Sequence, residues 1–178
     1  MAFNIQTFRN TLGGDGARPN LFKVKFDHNT FGSGSTEFFC RAASIPGSTI
    51  GTVSVPYAGR EVKFAGNRTF PDWTTTFIND EDYSYRSFFE KWIELINGNI
   101  TNIRLGTGGV NSYHTGSSTT VQQFSKDGTT ILREYSVVNL FPIDISEITL
   151  DWSDNDSIEE FTVTFSSDYW TAVSAPAA

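Results

Sequence analysis

A single cysteine, Cys40, excludes an intrachain disulfide, and a chain that folds without one fits a reducing compartment. Histidine is almost as scarce: His28 and His114 are the only two, each in a polar stretch. A serine–histidine–acid reading needs one of them beside a nucleophile on a rigid scaffold, and a zinc reading needs Cys/His clusters that the chain does not contain. No run of about 18 apolar residues is present, so no membrane-spanning helix and no stable membrane insertion are expected. The start, Met1-Ala2-Phe3-Asn4-Ile5-Gln6, lacks the basic stretch and apolar block of a secretory leader. Charged residues make up 19% of the chain, below the usual value of about 25%, which fits a surface partly covered by partners.

Positive charge is in deficit. The formal net charge is -7, and a domain of that sign is not expected to grip nucleic acid, because phosphate binding needs Lys and Arg to release counterions. It could still enclose DNA without holding it. Other catalytic patterns fail in turn. Gly13-Gly14-Asp15-Gly16 has no Lys and no strand–helix context for phosphate. Asp151, Asp154, Asp156 and Glu159 form the densest acid cluster, but no Gly holds the sixth position of a calcium loop, so the cluster reads as a charged turn between strands. No carboxylate pair is marked for glycoside hydrolysis. The expectation is a protein that is not an enzyme and carries no cofactor or metal.

Aromatics are abundant: 16 Phe, 6 Tyr and 4 Trp favour half-buried pleated surfaces, and 178 residues suffice for one domain with a substantial core. Residues 1–16 read as an N-terminal arm with a short helical turn around Gln6–Leu12, residues 17–171 as a single domain, and residues 172–178 as a small-residue tail. Leu21–Phe26 alternates as a half-buried strand, with Phe22, Val24 and Phe26 on one face and Lys23 and Lys25 on the other. After the Gly/Ser/Asn turn at Asn29–Ser35, Glu37–Ala43 is expected to pair with it as a hairpin. Thr52–Val55 and Arg60–Phe64 flank the turn Pro56–Gly59; a hairpin so short and polar is expected to project or to pack on something outside the domain. Ala65–Thr74 reads as a polar, charged turn that feeds the strand Trp73–Ile78.

The one convincing helix spans about Tyr83–Asn97. Tyr85, Phe88, Phe89, Trp92 and Ile96 form its apolar stripe, acids stand at its start, and Gly98 is the expected C-cap. Gly106–Thr120 is a long polar loop. Strands are then expected at Val121–Ser125, Ile131–Leu140, Glu147–Trp152 and Glu159–Ser166, the first two joined by the turn Lys126–Gly128. In the last two, Ile148, Leu150, Trp152, Phe161, Val163 and Phe165 face the core. Glu147, Thr149, Asp151, Glu160, Thr162 and Thr164 face water, which implies antiparallel sheets with one packed and one wet side.

Three segments carry a resemblance: Ala17-Arg18-Pro19-Asn20-Leu21-Phe22; Gly66 through Asn79-Asp80-Glu81; and Leu150-Asp151-Trp152 with Asp168-Tyr169-Trp170. With Gln123–Gly128 as a fourth match, their order and spacing resemble the tail tube proteins of T4-like contractile bacteriophages along nearly the whole chain. The resemblance implies a mainly β fold of two packed antiparallel sheets, sandwich- or barrel-like, with one flanking α-helix, similar to type VI secretion tube proteins. It implies homo-hexameric rings with a continuous inner β-barrel, stacked into the rigid tail tube of the virion. That tube is assembled in the host cytoplasm, driven through the envelope by the sheath, and bounded by baseplate and terminator proteins; genomic DNA passes without specific binding. The resemblance gives assembly roles to Arg18, Asn20, Arg68, Asp72, Trp73, Asp151, Trp152, Tyr169 and Trp170, and lumen-facing positions to Glu147, Thr149, Glu160 and Thr162. Arg68 and Asp72 are left with two options, a local turn salt bridge or a contact with the adjacent subunit. Lys23 and Lys25 would spoil an acidic lumen if they faced it. A baseplate-proximal tube subunit or the tube of an injection particle would share the motifs. A monomeric carbohydrate-binding β-sandwich is the alternative of another class.

Overall fold

The structure, a computed structural model, describes residues 4–12, 16–26, 40–100, 102, 119–153 and 155–173. In chain order the elements are α1 (Ile5–Leu12), β1 (Phe22–Lys25), β2 (Cys40–Ala43), β3 (Thr49–Tyr57), β4 (Arg60–Thr69), β5 (Trp73–Ile78), α2 (Ser84–Ile96), β6 (Thr119–Phe124), β7 (Ile131–Val138), β8 (Phe141–Ile145), β9 (Glu160–Ser166) and β10 (Tyr169–Val173). Two four-stranded sheets run β1-β6-β7-β10 and β2-β5-β9-β8, and β3-β4 stand apart as a two-stranded ribbon. Every pairing is antiparallel.

Period-2 alternation places the core. On β9, Phe161, Val163 and Phe165 are buried; on β5, so are Trp73, Thr75 and Phe77, and the register sets Trp73 opposite Phe165 and Phe77 opposite Phe161. Val24 and Val121 meet across β1 and β6. Between the sheets Phe26 packs on Phe165 at 5.3 Å between ring centres and on Phe77 at 5.8 Å. Helix α2 adds Phe89, 4.9 Å from Phe77, and Trp92. Burying each such aromatic stabilises the fold by roughly 2–3 kcal/mol. Ahead of α2, Asp80 accepts the Ser84 amide at 3.0 Å, supplying the negative charge the helix start favours. Arg86 fastens α2 to the sheet by donating to Ser146 O at 3.0 Å and lying over Phe161.

Several expectations are corrected. β1 and β2 do not form a hairpin. They belong to different sheets, because β1 finds its apolar partner in β6 and β2 lies along β5. Ala65–Thr69 is the end of β4 rather than a turn, with Thr69 opposite Thr49 and Arg68 opposite Ile50. A Cβ on Gly66 would sit 3.1 Å from Gly51 backbone, so this glycine serves a close backbone approach beside a bulge, not chain reversal. Only Phe70, Pro71 and Asp72 connect β4 to β5.

Glu147–Trp152 is not a strand: the position beside β9 is already filled by β8, which the sequence reading ran past. Leu150 and Trp152 consequently stand in solvent. Pro142 is tolerated because β8 is an edge strand. The Ile131–Leu140 run ends at Val138, where Asn139 (φ 55°) turns the chain into β8. Ala172 and Val173, assigned to the tail, complete β10. Asn97, in extended conformation, ends α2 in place of Gly98. The Asn29–Ser35 turn, His28, His114, Asp154 and all of the Gly106–Thr120 loop except Thr119 and Thr120 lie outside the described residues.

Candidate assembly surfaces

Arg68 anchors the root of the ribbon. It donates to Ser48 Oγ at 2.8 Å, and its guanidinium carbon lies 4.9 Å from the Phe70 ring centre and 5.2 Å from that of Trp170. Trp170 in turn donates to Gly47 O at 2.8 Å, packs edge-on against Phe70 and Tyr135, and belongs to β10 of the other sheet. Trp73, 3% exposed, donates to Ser44 O at 2.7 Å. Two indoles and a guanidinium thus hold both strands of the ribbon's base to the body, each cation–π contact contributing about 0.5–1 kcal/mol. Among the described residues the ion pairs are Arg41–Glu160 and Arg86–Glu90. Arg68 and Asp72 form no local salt bridge; Asp72 is exposed beside the root.

The ribbon itself has almost no support beyond that root. All of β3 is exposed, as is all of β4 except Gly66. It is amphipathic. Val53 lies opposite Phe64 and Val55 opposite Val62, so these residues and Tyr57 share one face, and they are between 43% and 75% exposed. Thr52, Ser54, Lys63 and Glu61 take the other face. The sequence reading, which took the segment as polar, missed this face. Its signal was present as alternation at Val53/Val55/Tyr57 and at Val62/Phe64. At the tip, Ala58 (φ 48°) and Gly59 (φ 79°) make a two-residue turn with both residues left-handed.

At the other end of β5 lies an acidic recess of about 410 Å³, lined by Asn79, Asp80, Glu81, Tyr83, Ser157, Ile158 and Glu159. Asn79 Nδ2 and Tyr83 Oη both donate to Glu159 Oε2, at 2.9 and 3.0 Å. The bond to Glu159 pushes the Tyr83 hydroxyl above its usual range. Asn79 is 8% exposed, and its Oδ1 accepts no hydrogen bond among the described residues.

The remaining predicted residues scatter. Arg18 and Asn20 are exposed ahead of β1. Arg18 O accepts from Leu21 N at 3.4 Å. Asp151 and the fully exposed Trp152 sit on the loop after β8, where Ser153 donates to Asp151 and lowers its pKa. Tyr169 is exposed on β10. Glu160 and Thr162 lie on the outer face of β9, where Thr74 and Thr76 of β5 stand opposite Thr164 and Thr162. Glu147 and Thr149 are exposed but off any strand. Lys23 and Lys25 are on the outer face of the other sheet. Among the described residues no three Asp, Glu, His or Cys side chains are grouped to hold a metal. Burial pushes the Cys40 thiol up to about 12, the reverse of an activated nucleophile.

Among the described residues the structure presents a packed aromatic core and an apolar ribbon left in solvent. The family model described as phage tail tube protein matches residues 17–173, and the chain belongs to that family. It is 36% identical over 157 residues to tail tube protein gp19 of Enterobacteria phage T4, covering 88% of this chain and 92% of that one. It is 25% identical over 165 residues to the tail tube protein of Serratia phage KSP90, covering 89% and 90%. The fold is similar to a chain of the sheath–tube complex of the extracellular contractile injection system PVC in its extended state (TM-score 0.65, 14% identity, 97% and 99% covered). It is also similar to a chain of the tube-terminating cap of the anti-feeding prophage (TM-score 0.64, 17% identity, 89% and 91% covered). A crystallised Hcp protein shares it more distantly (TM-score 0.52, 12% identity, 86% and 93% covered).

Proposed function

We propose that this tail tube protein forms homo-hexameric rings that stack into the inner tube of a contractile phage tail. In each ring the strands of the subunits join into a continuous β-barrel. The ribbon is the observation that carries this reading. An amphipathic hairpin with its apolar face in solvent is marginal on its own and becomes stable when a second copy covers that face. Cyclic rings need heterologous interfaces, in which two different surfaces of one molecule meet. The edge strands β1, β10, β2 and β8 offer backbone donors and acceptors that barrel closure would pair.

The outer Thr-rich face of β5 and β9 suits a lumen because among the described residues it offers phosphates no unpaired cation, Arg41 of the neighbouring strand being ion-paired with Glu160, and Lys23 and Lys25 lie on the other sheet. In this reading Glu160 and Thr162 line the bore. Arg68, through the root it holds, and the exposed Arg18, Asn20, Asp72, Asp151, Trp152 and Tyr169 serve assembly. Trp73 and Trp170 act indirectly, as parts of the subunit's own packing. The tube would be bounded by sheath, baseplate and terminator, assembled in the host cytoplasm, driven through the envelope and traversed by DNA.

Negative-stain microscopy of the purified chain tests the reading. Rings or tubes are expected from the parent, and folded but largely unassembled protein from Arg68→Ala and from Val53→Thr/Phe64→Thr. Normal tubes from both variants would remove the ribbon from the assembly; featureless monomers from the parent at all concentrations would overturn the tube.

A further inference from the structure

The ribbon and the acidic recess sit at opposite ends of one sheet. Trp73, at the start of β5, is tied to the ribbon's root through Ser44, whereas Asn79 follows the last residue of the same strand. With both β3 and β4 in solvent, the ribbon extends from that root by up to about 30 Å at the usual rise per residue. Its tip carries two residues side by side on the apolar face: Tyr57, which is strongly exposed, and Arg60, which is exposed and whose guanidinium has no ion-pair or hydrogen-bond partner among the described residues.

The recess offers the complement of that pair. Glu81 and Glu159 supply negative charge, and Tyr83 and Ile158 supply exposed apolar surface. Asn79 adds a second observation. An amide that is nine-tenths buried with an unused acceptor costs about 1–3 kcal/mol, and a donor brought in from outside would relieve it. A guanidinium, which has five donors and no acceptor, fits this set of groups.

We propose that the ribbon tip of one copy seats in the acidic recess of the next copy along the tube, with Arg60 against Glu81 and Glu159 and Tyr57 against Ile158. The inference rests on the tube reading and names the surface that receives the ribbon. Knob and hole lie on one molecule, as a heterologous contact requires, and with the ribbon's root and the recess at the two ends of β5 the proposed contact runs between copies in successive rings. Charge complementarity selects this recess over the uncharged parts of the surface.

Two experiments test it. In the first, Arg60→Glu and Glu81→Lys are made singly and together, and the critical concentration for sedimentable tubes is measured. Both side chains are exposed, so the fold should be intact by thermal melting. Each single change is expected to raise the critical concentration about tenfold or more, and the double change to recover most of that loss, since close charge pairs couple by more than about 1.4 kcal/mol. In the second, Arg60→Cys/Glu81→Cys tubes are treated with a short bis-maleimide; the native Cys40 is common to every variant, so the single variants report its background. A ladder of covalent multimers is expected from the double variant and none from either single one. Tubes that form normally from the charge-reversed singles and give no ladder would overturn the docking while leaving the tube intact. A parent chain that forms neither rings nor tubes would remove the tube reading, and the docking with it.

Discussion

Asp127 shows how a single side chain shapes a connection. Its carboxylate accepts the amides of Thr129 and Thr130, each at 3.0 Å, as well as the Thr130 hydroxyl, with Gly128 at φ 71° between them. The hydrogen bonds, that from the Thr130 hydroxyl foremost, lower its pKa from 3.8 to about 2. A depressed carboxylate stabilises the fold above its unfolded pKa, and that contribution is lost as pH falls from near 4 towards 2. Melting curves across that window should therefore fall less steeply for Asp127→Asn than for the parent, the two converging at the acid end. Equal slopes would remove the turn from the acid response. This turn was legible because Lys-Asp-Gly between two alternating runs is a local signal. Arg68 was not legible: its partners Ser48 and Trp170 lie far along the chain, and no spacing rule reaches them. Its chemistry, an arginine between two aromatic rings, emerges only when β10 closes the sheet.

At the scale of elements, strands whose partner lies on a buried face were readable, and strands defined by what lies beside them were not. β5, β9 and α2 announce themselves by apolar period, and the structure keeps each within a residue or so of its expected span. Glu147–Trp152 has the same period yet finds no neighbour, while β8, with Pro142 and Asp144, has a poor pattern and forms because β9 has a free side. The β3-β4 ribbon shows the same dependence, since near its base the Gly51 and Gly66 backbones approach too closely for a side chain on Gly66. Its turn holds one non-glycine residue left-handed, a conformation that costs an L-residue roughly 1–2 kcal/mol. Ala58→Gly should relieve part of that cost, slowing amide exchange in the ribbon by a few-fold. Gly59→Ala should do the opposite; identical exchange in both variants would contradict the left-handed turn.

The whole molecule divides into a part that is finished and a part that is not. The aromatic lattice of Phe26, Phe77, Phe89, Trp92, Phe161 and Phe165 is closed to solvent, so amides of β5 and β9 should exchange only on global unfolding. Amides of Val53, Val55 and Phe64 should exchange orders of magnitude faster in dilute monomer and approach the core rates in sedimented assemblies. Ribbon amides already protected in the monomer would show that the hairpin needs no second copy. The separation of ribbon and recess along β5 has one more consequence. A stack held by the proposed contacts would have two unlike ends, one showing bare hairpins and the other empty acidic recesses. The tube is then a polar filament: growth at the two ends proceeds by different chemistry, and a factor that starts it cannot have the same surface as one that stops it.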